Sequence, residues 1–137
     1  MKMNRMFMLI LILIIISITG CSNKIKQIDD TKYQELIQTT ELTKVYVRDE
    51  KEVWNEMHMM ANTKIVADEI WGEIEITEER VDYLITEVLV SEYPDKKRLL
   101  TILYNWKNED FSCAVDEHNY LWDKLGGSVG KAYKLKE

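Results

Sequence analysis

The sequence predicts a mainly α domain of four short helices, with room for one or two very short strands, placed behind a signal peptide and a polar tether. Three observations carry this prediction. An apolar amino-terminal run ends in small residues and a cysteine. Apolar positions then repeat at helical spacing in four separate stretches between residues 49 and 125. Proline, glycine and capping residues fall between those stretches.

Lys2 and Arg5 form a positive start, and Met6 to Ile16 supply eleven consecutive apolar residues before Ser17, Thr19 and Gly20 dilute the run. A helix crossing a bilayer needs about 20 apolar residues, so the segment has the proportions of a cleaved signal peptide (residues 1–20) and not those of an uncleaved anchor. Ile18-Thr19-Gly20-Cys21 resembles the bacterial lipobox. That resemblance implies a diacylglyceryl group on the Cys21 thiol followed by cleavage before it, and the two acyl chains anchor a protein stably where one does not. The expected location is the extracytoplasmic face of the cell membrane.

Eighteen basic residues stand against 24 acidic ones, a net charge of -6 that becomes -8 once Lys2 and Arg5 are cleaved away. No cluster of Lys or Arg is large enough to answer a nucleic-acid backbone or an anionic surface, which excludes nucleic acid as a partner. With Cys21 acylated, Cys113 is left alone, and no intrachain disulfide is expected.

Residues 21–48 read as the lipidated cysteine and its tether, polar and weakly ordered from Ser22 to about Gln34. Thr43 to Arg48 alternate apolar and polar residues as a short strand would. The helical domain occupies 49–137. Asp49-Glu50-Lys51-Glu52 resembles a capping box, and Val53, Trp54, Met57, Met60 and Ala61 then share one helical face. Ile65 to Ile76 form a connector, a turn or a short strand. Thr77 caps a second helix whose stripe is Val81, Leu84, Ile85, Val88 and Leu89, with Glu78 and Glu79 in its dipole-favoured first turn. Pro94 breaks the chain, Asp95 caps, and Leu99, Ile102, Leu103 and Trp106 mark the third helix. After a turn at Asn108 to Phe111, Ser112 caps a fourth helix carrying Ala114, His118, Leu121, Trp122 and Leu125, which Gly126-Gly127 stop.

Ala67-Asp68-Glu69-Ile70-Trp71-Gly72, Thr77-Glu78-Glu79-Arg80-Val81, Trp106 to Ser112, His118-Asn119, Trp122 and Gly126 to Ala132 together resemble an uncharacterised domain family of small exported or membrane-anchored proteins of Firmicutes. The likeness covers about residues 50 to 134 and departs from the pattern at Glu109, where the family carries a glycine. It implies no activity. Its one functional lead is an association of some small lipoproteins of mobile elements with exclusion or immunity.

Chemistry is sparse. Cys113 and His118 lie five residues apart, about 140° around a helix axis, and cannot form a dyad within that helix. Two histidines and one thiol do not make a zinc pattern, so no metal and no other cofactor is expected. Gly126 to Lys131 lack the phosphate-loop spacing and follow a helix carboxyl end, which repels phosphate. Asp68, Glu69, Glu73, Glu75, Glu78 and Glu79 read as a solvated acidic face before they read as acid–base pairs or calcium ligands. Trp54, Trp106 and Trp122 sit on apolar stripes and are expected in the core. Trp71, beside Gly72, is the freest.

These residues predict a non-catalytic interaction module whose surface comprises Trp71, Asp68, Glu69, Glu73, His118 and Asn119, acting on an envelope protein, for example as an exclusion or immunity lipoprotein against a conjugation machine. A small-ligand or cell-wall-binding lipoprotein is the alternative, and an envelope hydrolase working through carboxylates is the third.

Overall fold

A computed structural model describes residues 27–40 and 45–137. The signal peptide, the lipobox and Cys21 lie outside the described residues, as do Thr43 and Lys44 of the anticipated first strand. Helices α1 (Asp30–Thr39), α2 (Glu50–Ala61), α3 (Glu78–Val90), α4 (Lys96–Lys107) and α5 (Ala114–Lys124) are joined by two short strands, β1 (Ile65–Ala67) and β2 (Ala132–Leu135). The fold is mainly α, as the periodicity predicts.

The α2 and α3 starts follow the capping logic. Asp49 accepts a hydrogen bond from Lys51 N at 3.0 Å, and Thr77 Oγ1 accepts one from Arg80 N at 3.2 Å. Helix α3 packs on α4 and α2 on α5, so the apolar stripes face one interior in which Met57, Leu84, Ile85, Leu103 and Leu121 have no exposed surface. Strands β1 and β2 pair antiparallel, Ile65 opposite Leu135, with an irregularity between Val66 and Ala67.

Three local expectations are corrected. The stretch read as a weakly ordered tether is helical from Asp30, because Ile28 and Leu36 are buried in the main core and Ile28 N donates to Thr101 Oγ1 at 2.6 Å. Two well-placed apolar side chains outweigh a polar composition when a finished surface on α4 receives them. Asp95 and Ser112 occupy cap regions without capping: Asp95 accepts from Trp54 Nε1 at 3.2 Å and from the Tyr120 hydroxyl, while Ser112 turns back to Asp110. Val45 to Arg48 form no strand. At the turn after α4, Glu109 adopts φ 55°, a left-handed geometry with a side chain where glycine is easier.

Arg48 ties the segment ahead of α2 to α3. Its guanidinium and backbone N–H converge on Glu87, whose side chain is fully buried, with Nη2 to Oε2 at 2.7 Å and Nε to both oxygens at 3.0 and 3.1 Å. Nη1 donates to Glu56 at 2.7 Å, and the Tyr93 hydroxyl donates to the Arg48 carbonyl at 2.8 Å. A carboxylate out of water is tolerable only when paired and fully bonded. Arg48→Met is therefore expected to lower unfolding free energy by about 3–5 kcal/mol in urea titrations. Arg48→Met combined with Glu87→Leu should recover much of that loss.

Candidate functional site

The connector after β1 is held against α2 by backbone and amide bonds. Ile74 N donates to Met59 O at 3.0 Å, and Asn62 Nδ2 donates to the Gly72 carbonyl at 2.8 Å. Gly72 has φ 84°, and an added Cβ would meet Met59 Sδ at 3.0 Å. This pinning leaves Trp71 standing out from the surface at 72% exposure, its Nε1 donating to Glu69 Oε2 at 3.1 Å.

The loop from Leu125 to Lys131 is fixed from α5. Asn119 donates from Nδ2 to Ala132 O and accepts from Ala132 N, both at 2.9 Å, replacing a strand partner with one amide. Trp122 Nε1 donates to Val129 O at 2.7 Å, and Gly127 N donates to Trp122 O at 2.9 Å. Gly127 lies on the indole so closely that a Cβ there would stand 2.2 Å from Trp122. Gly130, at φ 81°, crosses the Glu69 carbonyl, which an added Cβ would meet at 2.6 Å.

Loop, connector and α2 enclose a cleft of about 350 Å³, lined by Asn55 and His58 from α2, Glu69 and Trp71 from the connector, and Trp122 with the glycine loop. Trp71, Leu125 and Val129, three of the exposed large apolar residues, all border it. At its α2 wall His58 packs 4.5 Å, centroid to centroid, from His118. His58 Nε2 is buried without a hydrogen-bond partner. Burial, with His118 alongside, pushes the His58 pKa down to about 4, so the ring is neutral at physiological pH. The Asn119 oxygen already accepts from Ala132 N, so His118 Nδ1, 3.1 Å away, must be the donor toward it. Burial lowers His118 too, against the opposing effect of that bond.

Of the anticipated surface residues, Trp71 and Glu69 meet in the cleft. His118 is buried behind His58, and Asn119 serves the loop. Asp68 is exposed outside the cleft lining, and Glu73 pairs with Lys136 at the end of β2. Trp54 and Trp106 are buried as expected, but Trp122 is only partly covered and belongs to the cleft rim. The apolar stripe hides this, because the indole is covered by its own loop and not by another helix. His58 is a residue that sequence reasoning left aside; its i+4 position from Trp54 suggests only a core role.

Among the described residues no group of three or more His, Cys, Asp or Glu side chains is placed to hold a metal. Glu50 and Asp95 form a carboxyl pair in which burial, with the Asp95 hydrogen bond and charge, raises Glu50 to about 7. Neither lines the cleft. Cys113, just ahead of α5, is disulfide-bonded, contrary to the expectation of a lone thiol, and the chain's second cysteine is Cys21, outside the described residues.

Residues 57–137 match the model of a family of unknown function, DUF6241. No curated protein sequence and no solved structure matches the chain.

Next to His118, the buried Glu117 accepts from Asn105 Nδ2 at 2.8 Å and Trp106 Nε1 at 2.7 Å, yet burial still raises it to about 7. A carboxyl raised from its usual 4.5 holds its proton more tightly when folded, so its contribution to stability falls as pH rises from about 4.5 to about 7. His58, lowered from 6.5 to about 4, has the opposite sign, and its contribution rises over that window. The two effects oppose each other, Glu50 adding to the first and His118 to the second. In urea unfolding followed between pH 5 and 6.5, Glu117→Gln should shift the pH slope of stability upward relative to the unaltered protein and His58→Asn should shift it downward, each by at most about 1.4 kcal/mol per pH unit.

Proposed function

Because the chain belongs to the DUF6241 family of unknown function, which brings no activity with it, we propose from its own residues that it is a lipid-anchored, extracytoplasmic, non-catalytic binding module. It engages a cell-envelope protein through the Trp71 cleft, in the manner of exclusion or immunity lipoproteins that block a partner machine such as a conjugation apparatus. The observation that carries the binding site is the convergence of exposed Trp71, Leu125 and Val129 on one concave surface. Exposed apolar side chains that gather around a cleft mark contact sites, whereas scattered ones do not.

The anchor rests on Lys2, Arg5, the apolar run and Ile18-Thr19-Gly20-Cys21. No helix among the described residues is long and apolar enough to cross a membrane. The disulfide-bonded state of Cys113 competes with this reading if Cys21 is its partner, since one sulfur cannot carry both a thioether and a disulfide. Intact mass of the mature protein from membranes settles the competition. The proposal expects cleavage before Cys21, a diacylglyceryl adduct on it, and failure of processing in Cys21→Ser. An unlipidated Cys21–Cys113 disulfide in the cellular protein would remove the anchor.

A small-ligand or cell-wall reading draws on one specific feature, since a concavity of about 350 Å³ falls within the range of small-molecule sites. To separate the two, a photoactivatable cross-linker at exposed Val129 is irradiated in cells and the adducts identified by mass spectrometry. The interaction module predicts one dominant envelope protein, lost in Trp71→Ala. Adducts that are absent, or unchanged by Trp71→Ala, count against it. Quenching of tryptophan fluorescence by cell-wall fragments in place of a protein adduct would favour the second reading.

A further inference from the structure

Aromatic rings in this protein are repeatedly capped by its own cations. Lys124 lies 5.1 Å from the Trp54 ring centroid, Lys131 5.9 Å from Trp122, Arg98 4.8 Å from Tyr120 and Lys64 4.2 Å from Phe111. Trp106 is buried. Trp71, the most exposed tryptophan, has no Lys or Arg over its ring among the described residues. Its neighbour Glu69 has no ion pair there either, only the indole N–H at 3.1 Å.

That hydrogen bond sets the geometry. It places a carboxylate at the electropositive N–H edge of the ring and leaves the electron-rich face open. A cation lying on that face reaches the carboxylate while it contacts the π system, so both attractions act on one group. Among the described residues Glu69 is the only acidic side chain lining the cleft and no Lys or Arg lines it, and the mature chain has a net charge of -8. An anionic ligand is therefore repelled and a cationic one drawn in. The open apolar surfaces of Leu125 and Val129 on the same cleft accept uncharged side chains beside it.

We infer that the Trp71–Glu69 corner is a receptor for a cationic side chain of a partner polypeptide, arginine above all, flanked by apolar residues. Arginine fits best because its planar guanidinium stacks on an indole and its donor fork matches a carboxylate. This deepens the binding-module reading and rests on it.

The test uses the full mature protein and two synthetic peptides, acetyl-Leu-Arg-Val-amide and its citrulline counterpart, which keeps the planar shape and loses the charge. Each is titrated into the millimolar range while the backbone amide resonances of the cleft residues Val129 and Gly130 are followed by NMR. The arginine peptide should shift those resonances and bind at least about tenfold more tightly than the citrulline peptide, a difference of about 1.4 kcal/mol. Glu69→Gln and Trp71→Leu should each erase the difference, and added salt should weaken only the arginine peptide. Equal binding of the two peptides overturns the cationic receptor and leaves the binding module in place. Silence from both peptides also overturns it, while the in-cell cross-link at Val129 judges the module separately.

Discussion

One side chain, Asn119, closes the carboxyl-terminal part of the fold. Its amide gives and takes a hydrogen bond with Ala132, acting as a one-residue strand partner on the face of α5. It adds to the pairing with the three residues of β1 and to the packing of Ala132 on Ala114 and Ile65, where a two-stranded ribbon alone would be marginal in water. Once Ala132 is fixed, the chain between Lys124 and Ala132 must fold back over Trp122, and only glycine at 127 leaves room for the indole beneath it. The cleft follows from that closure. Its loop wall is held by Trp122 Nε1 on Val129 O, and its connector wall meets the loop where Gly130 crosses Glu69.

Two sets of buried polar groups join the helices. Arg48, Glu87 and Glu56 join the segment ahead of α2 to α3, and Glu117 with Asn105 and Trp106 joins α5 to α4. Both sets are satisfied and act as braces. His58 differs, because its Nε2 is buried and unpartnered while the residue lines the cleft. That places an unpartnered ring nitrogen of α2 in the same cleft as the most exposed tryptophan.

How much of this the sequence carried depended on whether a residue's partner was local. The stripe of α3, the caps at Asp49 and Thr77 and the freedom of Trp71 were legible because each is written within one or two helical turns. Helix α1 was not, since it depends on Ile28 and Leu36 finding a core built by residues far along the chain. Strand β2 was hidden for the same reason, because its partners are Asn119 and residues 65–67. Trp122 shows the limit of periodicity, which places a residue on a stripe without telling whether a helix or a loop will cover it. Gly126-Gly127 were legible as the stop of α5, and only the three-dimensional arrangement shows Gly127 lying on Trp122 and Gly130 crossing Glu69.

The account stands on the loop being closed by Asn119, and amide hydrogen exchange of Ala132 reads that closure directly. It predicts that the Ala132 N–H exchanges as slowly as the amides of α5, and that Asn119→Ala releases it together with the Trp122 indole N–H. Exchange of Ala132 at the rate of an open loop in the unaltered protein would contradict it.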